Sequence, residues 1–180
     1  SDATADRVAE LVAGAPEVAL CRQGKNQGKG AAVREGMRAA RGRRVLFLDA
    51  DLAYPPDQIG RILEALDGGV DLAVASRVLP ESRFTMSPQL FPYVRGRYRA
   101  SRIFNLLVRL LRLTHVRDTQ AGLKGFTRRA AGEVFDRLTL TRFGFDLEVF
   151  AIARSRGLTV KEVPVHFEYQ DRATTVRFLR

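Results

Sequence analysis

A short apolar run that stops on two carboxylates constrains this chain more than any other feature. Residues 45–51 read Val-Leu-Phe-Leu-Asp-Ala-Asp. Four consecutive apolar residues are typical of a central parallel strand that is covered on both faces, and Pro55 and Pro56 prevent the strand from continuing. Open α/β sheets bind their ligands at the carboxyl ends of the strands, so this run predicts a ligand site at Asp49 and Asp51.

An Asp-x-Asp pair at a strand end can hold a divalent cation. Carboxylate oxygens are hard ligands, and two of them leave coordination positions for water and for the phosphates of a substrate. The same two residues could also simply cap a turn, because Asp is common after strands and before helices. The residues alone leave both interpretations open.

Short strands and helices of about ten residues alternate along the rest of the chain. This alternation predicts parallel βαβ units, hence an α/β domain with a mostly parallel sheet flanked by helices. One such domain spans residues 1–180, and 46% hydrophobic residues suffice to build its core. The predicted helices cover residues 2–13, 31–40, 57–68, 128–136 and 143–156, and the predicted strands cover 18–21, 45–48, 71–76, 123–126 and 160–167, the last interrupted by Pro164.

The loop before the second predicted helix reads Asn26-Gln27-Gly28-Lys29-Gly30. Its spacing does not match the phosphate-binding P-loop, which has four residues between its glycines and Ser or Thr after its lysine. The glycines still permit close backbone approach, a helix amino terminus favours anions, and Lys29 adds a positive charge. An ordinary loop with a helix cap explains the same residues.

The charge of the chain favours an anionic partner. Thirty Lys and Arg against twenty Asp and Glu give a net charge of +10, and several of the arginines lie in a predicted helix over residues 93–113. Nucleic acid, a phosphorylated substrate and an anionic membrane surface all fit this charge. We find no RNA- or DNA-binding sequence motif, so nucleic acid is the disfavoured partner. The single cysteine, Cys21, indicates a reducing compartment.

Several segments in a shared order resemble the inverting glycosyltransferases of family 2, in the group of dolichyl-phosphate β-glucosyltransferases and dolichyl-phosphate mannose synthases. The resemblance covers Gly24 to the end of the chain and is closer to the glucosyl branch. Mannose synthases of this group carry Gln where this chain has Ala53. The matching segments are NQGKGAAVREGM, VLFLDADLAYPPDQI, DLAVASR, RYRASRIFNLLVRLL, DTQAGLKGFTR, FGFDLEVF and EVPVHFEY, the last followed by Arg172-Ala173-Thr174-Thr175.

The resemblance implies a glycosyltransferase A fold and a set of site residues. It implies that Asp49 and Asp51 bind Mg²⁺ or Mn²⁺ together with the donor diphosphate, and that Asp118 and Asp146 position the sugar or support acid–base chemistry. The residues implied for the donor are Asn26, Lys29, Asp49 and Asp51, and those implied for the lipid phosphate are Arg77, Arg97, Ser101 and Arg172.

The implied reaction transfers a hexose, glucose favoured, from a nucleotide sugar, UDP-glucose favoured, to a polyprenyl phosphate such as dolichyl phosphate. Mannosyl transfer from GDP-mannose, or a different lipid or soluble acceptor, is the alternative. The implied location is peripheral, at the cytoplasmic face of an anionic membrane.

The start of the chain differs from the pattern of this group. Its members begin with an apolar strand and then a second strand that ends in acidic residues, whereas this chain begins at Ser1-Asp2 with what looks like the end of that acidic loop. We therefore expect the 180 residues to be an internal fragment that lacks its first one or two strands. We also expect it to bind nucleotide sugar weakly by itself.

Overall fold

The structure is a computed structural model, and it describes residues 3–86 and 114–169. Helices and strands alternate through most of the described residues, as the sequence predicts. The elements are α1 (Thr4–Val12), α2 (Lys29–Ala39), β1 (Arg44–Leu48), α3 (Gln58–Asp67), β2 (Leu72–Ser76), β3 (Arg83–Met86), β4 (Leu123–Thr127), α4 (Arg128–Phe135), α5 (Phe145–Ser155), β5 (Val160–Pro164) and β6 (His166–Tyr169).

The main sheet has four strands in the order β1-β4-β2-β5. Strand β4 is antiparallel to both of its neighbours, while β2 and β5 are parallel, so β1, β2 and β5 all run in one direction. The carboxyl ends of β1 and β2 therefore meet at the edge where β4 begins. This arrangement brings the residues after Leu48, after Ser76 and before Leu123 together.

Strand β1 lies elsewhere in the sheet than the sequence predicts. Among the described residues it stands at one end of the strand order and pairs with the antiparallel β4, so the prediction of a central strand with parallel neighbours is wrong here. Val45 is buried, but Leu46, Phe47 and Leu48 are only partly buried. A run of apolar residues reports burial and not the direction of the neighbouring strand.

The core lies around β2 and β4, between the sheet and the helices. All five residues of β2 are buried, and α3 packs against β2 and β4. The contact of α3 with β4 depends on Gly125, because a Cβ there would collide with the Cγ2 atom of Ile62. On the other side, α4 and α5 pack together and contribute Phe135, Phe145 and Phe150 to the same core.

A small second sheet pairs β3 with β6 in parallel. The sequence predicts one strand over residues 160–167, but the chain divides it into β5 and β6 on either side of Val165, and each half joins a different sheet. Strand β3 was not predicted. Its residues Arg83, Phe84 and Thr85 are exposed, so they lack the burial pattern that marks a strand in a sequence.

The predicted strand over residues 18–21 is absent from the structure. This segment has no regular secondary structure, and Val18 and Leu20 are exposed. Helix α1, just before it, has no buried residue. Short apolar segments are stable as strands only where a neighbouring strand and a core accept them.

Some predictions fall outside the described residues. The Arg-rich helix over residues 93–113 does, and so do Arg97, Ser101 and Arg172. Within residues 3–86 and 114–169, we find no helix that is long and apolar enough to cross a membrane.

Candidate functional site

The two carboxylates predicted from the sequence lie directly after β1, at the carboxyl edge of the sheet. The backbone N–H of Asp49 donates to the carbonyl of Gly122 at 2.9 Å, which fixes the strand end against the segment before β4. Leu52 then adopts a positive φ of 54°, and the N–H of Ala53 donates to Oδ1 of Asp51 at 3.1 Å. This tight turn explains why the strand ends where it does. The structure therefore confirms the turn at Asp51, and the ligand-site interpretation of Asp49 and Asp51 stays a prediction.

Lys29 binds the first of these carboxylates. Its Nζ lies 2.7 Å from Oδ1 and 2.9 Å from Oδ2 of Asp49, and both side chains are about one-third exposed. Lys29 is the first residue of α2, and its Nζ also lies 5.9 Å from the centroid of the Phe145 ring. The structure thus brings together Lys29 and Asp49, two residues that the sequence assigns to the donor. It also gives the carboxylate of Asp49 a direct cationic partner.

The loop that carries Lys29 is held by close backbone contacts. Gly28 has a φ of 99°, and a Cβ there would lie 2.6 Å from the carbonyl oxygen of Thr141. The N–H of Ala31 donates to that same oxygen at 3.1 Å. The Oδ1 atom of Asn26 accepts a hydrogen bond from the N–H of Gly28 at 3.0 Å. The glycines therefore allow the loop to pack against the backbone at Thr141, and Asn26 shapes the loop; approach of a phosphate to these glycines stays a prediction.

Gly122 is a site residue that the sequence analysis did not single out. A Cβ at this position would overlap the carboxylate of Asp49, with Cγ only 2.5 Å away. The glycine thus leaves room for the Asp49 side chain while its carbonyl holds the Asp49 backbone. The motif DTQAGLKGF contains this glycine, but only the fold shows which side chain it faces.

Asp118 and Arg77 form a buried, bidentate ion pair. Asp118 is 1% exposed, and its two oxygens accept from Nε and Nη2 of Arg77 at 2.7 Å each. The backbone N–H of Arg77 also donates to Asp118 at 3.0 Å. Arg77 follows β2 and Asp118 precedes β4, so the sheet topology brings them together. The pair fixes the guanidinium of Arg77, which also lies 5.3 Å from the centroid of the Phe167 ring.

Burial raises the pKa of Asp118, but the charge and hydrogen bonds of Arg77 outweigh burial and hold that pKa below its usual value. A carboxylate with a lowered pKa contributes stability above its unfolded pKa of about 4 and loses it as the pH falls through the folded value. The contribution is therefore present in full at neutral pH.

We accordingly expect Asp118→Asn to lower the free energy of unfolding by about 2–3 kcal/mol at pH 7, the scale of hydrogen bonds between charged groups. The difference in the free energy of unfolding between Asp118→Asn and wild type should become smaller as the pH falls below about 4. Urea unfolding at pH 7 and pH 3 measures both. Asp67→Asn, which removes an exposed carboxylate paired with Arg44, is the control and should stay within about 0.5 kcal/mol. A pH-independent difference would contradict the proposed ion-pair contribution.

Asp146 pairs with a buried lysine. The Nζ of Lys124 donates to Oδ1 of Asp146 at 2.6 Å, and the side chains are 0% and 7% exposed. Asp146 lies in the first turn of α5, directly after Phe145, whose ring contacts Phe47 and Lys29. The Phe145 ring therefore lies between Asp146, its neighbour in sequence, and Lys29, the partner of Asp49. The sequence analysis named Asp146 but not its lysine partner.

Two further polar residues near the site were also missed by the sequence analysis. Tyr54 is 2% exposed, and its hydroxyl has no hydrogen-bond partner among the residues that the structure describes. Burial raises its pKa. Glu162 accepts from the backbone N–H of Asp118 at 3.2 Å and from the hydroxyl of Ser76 at 2.7 Å. An isolated Tyr or Glu gives no sequence signal, because only the fold places each one beside Asp118.

The two carboxylates after β1, Asp49 and Asp51, are the residues of the predicted metal site. No group of three or more Asp, Glu, His or Cys side chains that could hold a metal occurs in the described part of the chain. Asp49 and Asp51 supply two carboxylates, of which Asp49 pairs with Lys29 at 2.7 Å and Asp51 accepts from the N–H of Ala53, so a cation bound there needs further ligands from outside the described residues. Such a site suits Mg²⁺ or Mn²⁺ with waters and phosphates as the remaining ligands.

A protein-family model matches most of the chain, including most residues of the candidate site. The family model described as "Glycosyl transferase family 2" matches residues 1–135, three quarters of the chain, and this range includes the Lys29 loop, both strand-end carboxylates, Arg77 and Asp118. The resemblance inferred from the sequence motifs is thereby confirmed.

Three curated relatives carry the same name, dolichyl-phosphate beta-glucosyltransferase. The protein from Drosophila melanogaster is 36% identical over 162 residues, which is 86% of this chain and 48% of that protein. The protein from Trichomonas vaginalis is 31% identical over 93% of this chain and 51% of its own length. The human protein is 31% identical over 86% of this chain and 48% of its own length. The chain spans about half the length of these relatives.

Solved structures share the fold. The glucosyl-3-phosphoglycerate synthase of Mycobacterium tuberculosis, in complex with phosphoglyceric acid, matches with a TM-score of 0.65 and 18% identity over 96% of this chain and 59% of that one. The same enzyme in complex with Mn²⁺, UDP-glucose and glycerol 3-phosphate matches with a TM-score of 0.63, also at 18% identity. Identity at this level shows a shared fold, which confirms the predicted fold class.

Proposed function

Because the chain belongs to glycosyl transferase family 2 and has the glycosyltransferase A fold, we propose that it transfers a hexose from a nucleotide sugar to a polyprenyl phosphate with inversion at the anomeric carbon. UDP-glucose is the favoured donor, so glucose is the transferred hexose, and dolichyl phosphate or a related lipid is the favoured acceptor. The names of the relatives at 31–36% identity support both choices.

The observation that carries the proposal is the charge arrangement at the carboxyl edge of the sheet. Lys29 contacts the Asp49 carboxylate at 2.7 Å from the start of α2, and Arg77 is fixed at the end of the neighbouring β2. Two cationic side chains and the strand-end carboxylates therefore lie where open α/β sheets bind ligands. Lys29 and Arg77 are each paired with a carboxylate, so the proposal includes a divalent cation, whose added positive charge would suit a reaction between two anions, a nucleoside diphosphate sugar and a lipid phosphate.

The proposed chemistry asks little of a general base. A phosphate oxygen of the acceptor attacks the anomeric carbon, a new carbon–oxygen bond forms, and the bond to the diphosphate breaks with its electron pair leaving on the diphosphate. The attacking oxygen is already ionised at neutral pH, so no proton has to be removed. We propose that Asp118 positions Arg77, since both of its oxygens are bonded to that side chain. We propose that Asp146 positions the sugar.

A divalent cation belongs to the proposal as a cofactor. Asp49 and Asp51 would hold Mg²⁺ or Mn²⁺, which stabilises the negative charge of a departing diphosphate when it is bound. Lys29 neutralises Asp49 in the structure, and in the proposal it would also supply positive charge for the donor diphosphate. Asn26 shapes the loop that presents Lys29 to the donor.

The acceptor side of the proposal includes residues outside the described ranges. Arg77 would bind the lipid phosphate together with Arg97, Ser101 and Arg172, since arginine forms bidentate hydrogen bonds with phosphate oxygens. An acceptor of this kind is anchored in a lipid bilayer. We therefore propose that the protein works at an anionic membrane surface, on the cytoplasmic face.

Loss of an arginine that binds the acceptor phosphate should change the KM for the lipid acceptor and not the KM for the sugar donor. We expect Arg97→Ala or Arg172→Ala to raise the KM for polyprenyl phosphate about tenfold to hundredfold, because a hydrogen bond to a charged group contributes roughly 1.5–3 kcal/mol. The KM for UDP-glucose should change less than about threefold. Steady-state kinetics with each substrate varied in turn measures the two values.

Arg156→Ala is the matched control for this prediction. Arg156 follows α5 and pairs with Glu133 on the protein surface, so its loss should leave both KM values unchanged. Equal increases in both KM values after Arg97→Ala or Arg172→Ala would show that these arginines support the fold and not the acceptor.

One assay tests the proposed function directly. A form of the protein that contains residues 1–180 is incubated with a polyprenyl phosphate, MnCl₂ or MgCl₂, and either UDP-glucose or GDP-mannose, and the lipid product is identified by mass spectrometry. A polyprenyl phosphate that carries glucose, formed only when UDP-glucose is the donor, supports the proposal. A mannosyl product, or transfer to a diacyl lipid or a soluble acceptor in place of the polyprenyl phosphate, would overturn the choice of donor or acceptor.

A further inference from the structure

Lys124 is a fully buried cation in β4. Its side chain is 0% exposed, and its Nζ donates to Oδ1 of Asp146 and to the carbonyl of Ala121, both at 2.6 Å. The same Nζ lies 5.3 Å from the centroid of the Phe47 ring and 5.7 Å from that of Phe150. Lysine is almost never buried completely unless it is paired, and Asp146 is the partner here.

The two hydrogen bonds of Lys124 lead to two different parts of the site. One holds Asp146 in the first turn of α5. The other holds the carbonyl of Ala121, next to Gly122, whose own carbonyl accepts from the N–H of Asp49 at 2.9 Å. Lys124 thus connects Asp146 on α5 with residues 121–122, whose backbone is hydrogen-bonded to Asp49 at the end of β1.

We propose that Lys124 is a positioning residue, which holds Asp146 and the Ala121–Gly122 segment in one fixed arrangement so that Asp146 and Asp49 keep their relative positions. The inference rests on the proposed function only in taking these two acids as site residues. A buried ammonium has to place all of its N–H donors on acceptors, so a second hydrogen bond is expected of any buried lysine. The proposal rests on which acceptor this is: Ala121 lies next to Gly122, whose carbonyl accepts from the N–H of Asp49.

The pKa of Lys124 lies below that of a solvated lysine. Burial lowers the pKa of Lys124, and the neighbouring Asp146 carboxylate opposes that shift through its charge and its hydrogen bond. Replacing the lysine alone would leave Asp146 buried without its counterion. A test must therefore separate the loss of the counterion from the loss of positioning.

The test uses Lys124→Met, Asp146→Asn and the double variant, studied by thermal unfolding and by amide hydrogen exchange. We expect Lys124→Met alone to lower Tm by roughly 10 °C, because breaking a buried pair from one side is strongly destabilising. The double variant should recover more than half of that loss. The amide of Asp49 should nevertheless exchange about tenfold faster in the double variant than in Asp146→Asn, while the amides of β2 stay within about twofold.

This readout needs no substrate, so it separates the inference from the proposed function. Equal protection of the Asp49 amide in Asp146→Asn and in the double variant would overturn the inference and leave Lys124 as a counterion only. In a form of the protein that transfers sugar, the double variant should also show a kcat about tenfold below that of Asp146→Asn, with the donor KM within about threefold. An unchanged kcat would likewise overturn the inference.

Discussion

Asp49→Asn and Asp51→Asn should each reduce sugar transfer by about a thousandfold or more while the protein stays folded. A carboxylate that binds a divalent cation contributes several kcal/mol to stabilising the charge of the leaving group, and about 4 kcal/mol corresponds to a thousandfold in rate. Asp49 is a surface-accessible member of its ion pair with Lys29, and exposed pairs contribute about 1 kcal/mol or less to stability. Initial rates with saturating UDP-glucose and Mn²⁺, and thermal unfolding, measure the two quantities.

The control for this prediction is Asp67, the last residue of α3, which lies beside the opposite end of β1. Asp67 pairs with Arg44, the first residue of β1, and Asp67→Asn removes a carboxylate of the same kind away from the carboxyl edge of the sheet. It should leave the transfer rate unchanged. Calorimetry of Mn²⁺ binding in the presence of UDP gives a second reading, in which both site variants should lose the metal-dependent heat. Transfer near the wild-type rate in Asp49→Asn and Asp51→Asn would exclude the metal-site assignment.

The sequence predicts those parts of the fold that depend on local pattern. Strand β1, helix α3 and the turn after Asp51 follow from apolar spacing and from Pro55 and Pro56, and the structure confirms them. The alternation of strands and helices predicts an α/β domain, but the glycosyltransferase A fold followed from the resemblance, and the antiparallel β4 departs from the parallel units that the alternation predicts. These features depend on residues that are close in sequence, so their signal lies within short windows.

The sequence does not predict which strands become neighbours. Strand β4 runs antiparallel between β1 and β2, and this insertion determines that Gly122 lies against Asp49 and that Asp118 lies against Arg77. The segment at residues 18–21 has an apolar composition like that of β1, yet it forms no strand. Pairing depends on residues far apart along the chain, and composition does not report it.

The sequence names charged residues as candidates for the site, and the structure brings some of them together with buried residues that the sequence does not name. Lys29 and Asp49 were both assigned to the donor from the motif order, and the structure places them in direct contact. Lys124 and Tyr54 gave no signal, because a single lysine in a strand or a single tyrosine after a turn is usually solvated or simply packed. What sets them apart is their burial, which only the assembled fold determines.

Gly122→Ala should reduce transfer about a hundredfold, although it adds only one methyl group. The new Cβ would overlap the Asp49 carboxylate, so that side chain has to rotate away from Lys29. A displacement of about 1 Å at a reacting group can cost a hundredfold in rate. The cost in stability should be nearer 1 kcal/mol, because a partly exposed side chain can move without disturbing the core.

Gly60→Ala is the matched control, since it adds the same methyl group at an exposed position of α3 where nothing lies within 4 Å. It should raise the free energy of unfolding by up to about 1 kcal/mol, as Gly-to-Ala changes inside helices do, and leave the rate unchanged. The double variant Gly122→Ala/Asp49→Asn then identifies the target of the methyl group. If the methyl group acts through Asp49, the double variant is no slower than Asp49→Asn alone, because two changes that remove the same interaction are not additive. A further loss in the double variant would mean that Gly122 affects the reaction by another route, through the segment before β4 itself.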